Sequence, residues 1–379
     1  MRIVHLCISC FFNDGRSYQE NELIRQHVQD GHQVLVLAST ETIRPDGTTE
    51  YVVPQEYLGP EGARVIRLAY RLWPHKLARK LRMHRGVYKL LADFKPDSIL
   101  FHGASGWELG TVARYAKDNP TVRFYIDSHE DHNNSGRTFL SLNLLHKIYY
   151  RYCLSRAWPI ARKVLCISTE TIEFVHGVYK VPRDKLEFFP LGGQLVEAPI
   201  YAKRRSKKRL SLGLNDGQIL FVQSGKQTER KKLLEALRAF KHHAPAQSRL
   251  AVAGSLSDGI RTEAEQLMAT MPNVMFLGWQ NTEDLTDLLC AADVYLQPGT
   301  QSVTMQHSLC CHCAVILDDV PSHQVFKNEN GWFINNNNDL ENAIRNAATA
   351  DLQQMGQNSF ALARKMLDYK TLSKRIFED

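Results

Sequence analysis

The sequence predicts an α/β fold built from two doubly wound, Rossmann-like domains. Three observations carry that expectation. Short apolar strands alternate with amphipathic helices along nearly the whole chain. The alternation restarts after a basic run near the middle, and 379 residues exceed what one ordinary core holds together. Repeated βαβ units with strands this short imply parallel sheets covered by helices on both faces. In such sheets ligands sit beyond the carboxyl ends of the strands, so two domains facing each other place the site in the cleft between them.

In the first half, RIVHLCIS reads as a buried strand. An amphipathic helix follows from about Tyr18 to Asp30, with Leu23, Ile24, His27 and Val28 on one face. Gly31 stops it and QVLVLAS is the next strand. DSILFHG (97–103), VRFYIDS (122–128) and KVLCIS (163–168) are further strands ending at polar residues. In the second half, QILFVQS (218–224) and LLEALRAFKHH are strand and helix, as are RLAVAGS and RTEAEQLMATM. VMFLG, DLTDLLCAAD, VYLQP, a helix through QHSLCC, and AVILDD continue the cadence. KRRSKKR (203–209) reads as a charged interdomain linker. The expected domains are 1–195 and 196–358, with a closing helix over 359–379 packing back toward the first.

A composition of 44% hydrophobic and 23% charged residues is that of a soluble globular protein. The opening MRIVHLCISCFF lacks the basic region, long apolar region and cleavage site of a signal peptide. No stretch approaches the roughly 18–20 apolar residues that span a bilayer. Eight cysteines without an export signal suggest reduced thiols in the cytosol. The net charge of +7 is unevenly placed, since residues 63–92 contain no Asp or Glu. Arg71, Lys76, Arg79, Lys80, Arg82, Arg85 and Lys89 are interleaved there with Leu72, Trp73, Leu77, Leu81 and Val87. This reads either as a basic amphipathic helix for an anionic membrane surface or phosphate-bearing partner, or as an ordinary basic surface helix. No nucleic-acid motif accompanies the charge.

Three stretches carry candidate chemistry. IDSHEDHNNS (126–135) is the densest polar cluster, directly after a strand. A His–carboxylate pairing there can set a tautomer or act as acid or base, and the same residue types also suit a metal or a hydrated loop of Asx turns. Cys7 and Cys10 form a CxxC that lies in a strand rather than at a helix start, which favours core cysteines. PGTQSVTMQHSLCCHCAVI (298–316) places His307, Cys310 and Cys311 on one helical face. Common zinc spacings are absent there, and packing against the sheet accounts for the thiols.

Taken in order, the segments resemble the large family 4 of sugar-nucleotide-dependent retaining glycosyltransferases, which have the GT-B fold. SYQENELIRQHVQDGHQVLVLAS is similar to that family's glycine loop, helix and GHxV strand. FFPLGG (188–193) matches its Pro-Asn-Gly segment, and SGKQTERKKLLEALRAF its Gly-Arg…Lys-Gly motif. VMFLGWQNTEDLTDLLCAADVYLQP matches the strands before the nucleotide loop, and NGWFI the segment after it. The resemblance implies an acceptor-side N-terminal domain and a C-terminal domain that binds a UDP- or GDP-linked sugar. It further implies transfer onto a glycan or lipid-linked glycan of surface polysaccharide, with retention and without an obligatory metal or other cofactor. The protein would be cytoplasmic, peripheral on the inner face of the membrane through 63–92.

Matching residues then receive expected roles. His129 falls near the sugar's anomeric carbon, with Asp127 and Asp131 as its carboxylate neighbours and Asp127 a candidate acceptor base. His102 and Gly103 line the same cleft. Lys226 and Lys231 meet the diphosphate, whose leaving charge calls for fixed cations and aimed N–H groups. Gly15 lets backbone approach a phosphate before the first helix, with Arg16 beside it on phosphate or acceptor. The loop Gly299, Thr300, Gln301 and Ser302 cradles phosphates by its amides, with Thr300 or Ser302 capping the helix. The family's Glu-x7-Glu is missing. His307 stands at its second Glu with Gln306 adjacent, and either can hydrogen-bond a ribose hydroxyl. His312 occupies the family's Gly position at the helix end. The missing Glu also admits a non-catalytic scaffold for an active transferase, and a sugar-nucleotide epimerase is a third reading.

Overall fold

A computed structural model of the protein describes residues 1–44, 48–71 and 75–378. The chain forms two compact units, Met1–Pro190 together with the chain from Tyr369 onward, and Leu191–Asp368. The division therefore falls at 190/191 and 368/369, rather than at 195/196 and 358/359.

The first unit is built on β1 (Arg2–Cys7), β2 (Gln33–Ser39), β5 (Glu56–Leu58), β6 (Arg64–Leu68), β7 (Ser98–Phe101), β8 (Arg123–Ser128), β9 (Lys163–Cys166) and β10 (Leu186–Phe188). Their order is β10-β9-β8-β7-β1-β2-β6-β5, and every pairing is parallel except β5 with β6. A small antiparallel pair, β3 (Glu41–Ile43) and β4 (Thr49–Tyr51), stands apart. The strand order reverses between β1 and β7, which makes their carboxyl ends the switch point where such sheets take ligands. The two-residue period of β1 sends Val4 and Leu6 into the core with Phe101, Phe124 and Val164. Ile3, His5 and Cys7 take the other face. There Leu23, from the helix Gln19–Gln29, packs with Ile3, Leu100, Leu165, Tyr369, Leu372 and Ile376.

The second unit has a six-stranded, wholly parallel sheet. Its strands are β11 (Ile219–Ser224), β12 (Ser248–Ala253), β13 (Val274–Gly278), β14 (Val294–Gln297), β15 (Ala314–Asp318) and β16 (Gly331–Ile334). The order β13-β12-β11-β14-β15-β16 reverses between β11 and β14. Phe221, Leu250, Val294 and Ile316 form its core with Leu233, Leu237, Phe240 and Ile344 of the covering helices.

Three expectations are corrected. The run 203–209 is not a linker but part of the helix Ala198–Ser211. Its arginines are consumed inside the unit: Arg204 pairs with Asp287, while Arg205 and Arg209 bind Asp293 at 2.5 and 3.1 Å. Arg209 is buried and also donates to the carbonyls of Ala291, Asn215 and Gln218. Guanidinium forks can hold several carbonyls at once, so a basic run here stabilises a helix rather than a tether. The stretch 63–92 is likewise not one helix. It contains β6, the short helix His75–Lys80 and the helix Val87–Phe94, separated where Arg82 and Gly86 take positive φ of 51° and 74°. Leu72 and Trp73 lie outside the described residues. The closing stretch 359–379 divides as well. The helix Leu352–Met366 belongs to the second unit, and the turns Tyr369–Leu372 and Ser373–Ile376 to the first. Among the described residues no helix is long and apolar enough to cross a membrane.

Candidate active site

At the switch point of the first unit, Asp127 at the end of β8 is almost fully buried and is held from two sides. His102, just past β7, places Nδ1 2.5 Å from its Oδ2, and the Gly103 N–H donates to its Oδ1 at 2.7 Å. The neighbouring His102 and this backbone N–H outweigh burial and keep Asp127 below the usual carboxylate range, while Asp127 raises His102. His129 Nε2 lies 3.8 Å from Asp127 Oδ1, and the His129 side chain is 41% exposed. A buried carboxylate therefore stands behind an accessible imidazole, just beyond hydrogen-bond distance. Glu130 accepts from the Ser128 hydroxyl and from the His129 N–H, and burial pushes its carboxyl up.

Asp131 is not brought into this group. Its Oδ1 accepts the N–H groups of Asn133 and Asn134 at 2.6 and 2.8 Å, which makes it the acceptor of an Asx turn. His132 instead meets the Phe174 ring edge-on at 4.9 Å. Gly15 has φ +71°, but its N–H already donates to Glu61 Oε1 at 2.8 Å. Arg16 is exposed. Glu20 was not foreseen. Burial raises its carboxyl against the pull of His102 and His129, so it faces the same group. In the sequence it passes for an acidic residue that the helix dipole favours in a first turn.

At the switch point of the second unit, the loop after β14 presses against the turn after β11. A methyl group on Gly299 would stand 2.0 Å from the Arg230 carbonyl oxygen, so only glycine fits. Lys231 Nζ donates to the carbonyls of Thr300 and Gln301 at 2.6 and 3.0 Å. Two of its three N–H groups thus turn the loop carbonyls inward. Burial lowers this ammonium to about 8. Ser302, rather than Thr300, caps the helix Val303–Cys310 by accepting from the Met305 N–H at 3.2 Å. Lys226 is exposed. Gln306 is buried, and its Oε1 accepts from the Gly192 N–H at 3.0 Å. In this loop and the helix after it, three buried nitrogens have no hydrogen-bond partner among the described residues: Gln301 Nε2, Gln306 Nε2 and His307 Nε2. Burial lowers His307 to about 4, so it is a neutral ring at physiological pH.

The cysteines of the following turn are packing groups. Cys313 donates to the Leu289 carbonyl at 3.2 Å, Cys310, Cys311 and Cys313 are all buried, and all eight thiols are free. Among the described residues no group of three or more His, Cys, Asp or Glu is placed to hold a metal. His312 has φ +61° and stacks on Phe360 at 3.9 Å.

Residues 21–193 match the model of glycosyltransferase family 4, and residues 216–350 match that of glycosyl transferases group 1. The chain belongs to the family 4 glycosyltransferases. The fold of this glycosyltransferase is that of solved GT-B structures. HepE from Anabaena, in complex with UDP, superposes with a TM-score of 0.71 at 15% identity, covering 100% of this chain and 99% of that one. Sucrose-phosphate synthase from Thermosynechococcus elongatus gives 0.66 at 16% identity, with 99% and 96% covered. WaaG, a glycosyltransferase involved in lipopolysaccharide biosynthesis, gives 0.64 at 15% identity, with 99% and 100% covered. No curated protein sequence matches the chain.

Proposed function

We propose that this glycosyltransferase takes its sugar from a UDP-linked donor and places it, with retention, on a glycan or lipid-linked glycan of surface polysaccharide at an anionic membrane. The observation that carries the donor reading is the loop at the β11/β14 switch point. Lys231 braces its carbonyls, Gly299 sets it against the backbone, and Gln301, Gln306 and His307 leave three buried nitrogens unsatisfied. Each such group costs about 1–3 kcal/mol unless a ligand supplies its partner. The third N–H of Lys231 and the exposed Lys226 meet a diphosphate, and neutral Gln and His side chains hold ribose hydroxyls where a Glu is absent. UDP is favoured over GDP because HepE is described with UDP and with UDP-glucose. At the sugar, His129 backed by Asp127 stabilises charge as the glycosidic bond breaks.

The acceptor reading rests on a surface of the first unit. Leu140, Leu144, Ile148 and Tyr152 are exposed at intervals of four residues along the helical stretch Ser141–Ser155, with Phe139 beside them. No Asp or Glu occurs from 132 to 169, while Arg137, Lys147 and Arg151 flank the ridge. The Tyr149 hydroxyl donates to the Leu81 carbonyl at 2.6 Å, which joins this stretch to the basic segment carrying Arg79, Lys80 and Arg82. An apolar ridge edged by cations suits an anionic bilayer.

Calorimetric titration with UDP, GDP, UDP-glucose and inorganic diphosphate tests the donor reading. UDP should bind, and Gln301→Ala with His307→Ala should weaken it about tenfold or more, as expected when two buried groups lose a ligand. Equal binding of GDP and UDP, or no loss in the double variant, would refute it.

A further inference from the structure

Three buried histidines that the transfer reaction does not use form a continuous row behind Asp127. His102 Nε2 lies 2.9 Å from His5 Nδ1, and His5 Nε2 lies 2.9 Å from His27 Nδ1. His27 Nε2 lies 2.9 Å from the carbonyl oxygen of Ser373. With the contact of His102 Nδ1 to Asp127 at 2.5 Å, the row makes four hydrogen bonds. The residues come from β1, the end of β7, the helix Gln19–Gln29 and the turn Ser373–Ile376, all within the first unit. All three rings and Asp127 are buried.

Counting protons decides what the row contains. Both ends are acceptors, a carboxylate at Asp127 and a backbone carbonyl at Ser373. Four hydrogen bonds need four protons, and three neutral imidazoles bring only three N–H groups. A consistent assignment has His102 donate from Nδ1 to Asp127 and from Nε2 to His5 Nδ1. His5 then donates from Nε2 to His27 Nδ1, and His27 from Nε2 to Ser373. His102 is an imidazolium, Asp127 a carboxylate, and the buried pair is neutral overall. If water replaced the Ser373 carbonyl it could donate to His27 instead, the two His–His bonds could reverse while His102 still donates to Asp127, and three ring protons would suffice.

We propose that His102, His5 and His27 hold one proton more than three neutral rings carry, and that this proton couples the carboxylate of Asp127 to the seating of the Ser373–Ile376 turn. The three are positioning residues that keep Asp127 charged and aimed beside His129. Electrostatics run the same way: Asp127 raises His102, while burial lowers His5 and pushes His27 down to about 4. The other titratable groups around the row are Glu20 and His129 at the Asp127 end, Asp30 and His32 at the His27 end, and the Cys7 and Cys10 thiols beside β1. Ser98 Oγ and the packing of Leu372 and Ile376 against Ile3 and Leu100 seat the turn independently of the row.

Nitrogen-15 NMR of the full-length chain with labelled histidine tests the count. Near neutral pH the three rings should show four ring N–H groups, with His102 protonated on both nitrogens. In His27→Leu the demand for the fourth proton disappears, so His102 should lose its second proton at a pH lower by about one unit or more. His27→Gln, whose Oε1 can accept from His5 while its Nε2 donates to Ser373, should leave the His102 titration in place. Three ring N–H groups in the wild type overturn the proposal. So does an unchanged His102 midpoint in His27→Leu, or a lowered one in His27→Gln. The wild-type count decides even if His27→Leu does not fold.

Discussion

Gly299 and Lys231 act on the same loop by different means. A methyl group at 299 has no room beside the Arg230 carbonyl, so the chain must shift the loop or the turn after β11. Gly299→Ala should cost about 1–3 kcal/mol of stability, as overpacking does. It should also weaken UDP binding, because the carbonyls that Lys231 draws inward would move. Denaturant midpoints and titration calorimetry check both effects, and an unchanged variant would mean the loop is not held against the Arg230 carbonyl. Motif matching located Lys231, but not its work. The sequence suggested a cation aimed at phosphate, whereas two of its three N–H groups hold the loop's own carbonyls. Asp131 was similarly a reasonable partner for His129 by proximity, and its turn claims it instead.

At the scale of elements, the basic character of the first unit is carried by more than one piece. The stretch 63–92 breaks into a strand and two helices, and its cations are partly engaged. Arg79 stacks over the Tyr51 ring at 3.6 Å, and Arg82 lies 3.8 Å from Glu41. The apolar ridge of Leu140, Leu144, Ile148 and Tyr152 is a second exposed feature. Fully burying each Leu or Ile is worth about 1.5–3 kcal/mol, so Leu144→Glu with Ile148→Glu should lower affinity for anionic vesicles about tenfold or more. Cosedimentation with vesicles containing phosphatidylglycerol measures this. Wild-type protein that stays in the supernatant, or a double variant that still sediments, would sink the membrane reading. The ridge was hidden in the sequence because its period of four resembles any helix that faces a core.

Across the whole molecule, buried histidines set the acid limit of stability. Burial lowers His27 and His84 in the first unit and His307 in the second to about 4. Unfolded, each would take up a proton below about 6.5, so their contribution is present above that pH and declines as pH falls toward 4. His102 works in the opposite sense. Its raised value adds stability that is complete below about 6.5 and is lost as pH rises through its folded value. The denaturant midpoint should therefore fall steeply from pH 6.5 to 4.5 and more gently on the alkaline side. A flat acid limb would contradict the neutral, buried state assigned to these rings.

What the sequence alone determined was the succession of strands and helices, the two parallel sheets and the family. Those follow from local periodicity and from the order of motifs, both of which survive in a one-dimensional string. Gly299, Asp127 and His129 were also singled out as candidates, since each sits at or just past a strand end where the topology leaves room for a ligand, and Lys231 by its place in the motif after β11. Only the tertiary structure decided which polar groups were already spoken for: Gly15 by Glu61, Asp131 by its turn, and Gln306 in part by Gly192. It alone set the domain boundary, because KRRSKKR is indistinguishable from a tether until Asp287 and Asp293 are beside it. The histidine row is the extreme case. His5, His27, His102 and Ser373 lie far apart in sequence, and nothing in the string joins His102, read there as a cleft residue, to the other three. Hydrogen bonds reach only about 3 Å, so a network of them exists only once the sheet, the first helix and the closing turn have been brought together.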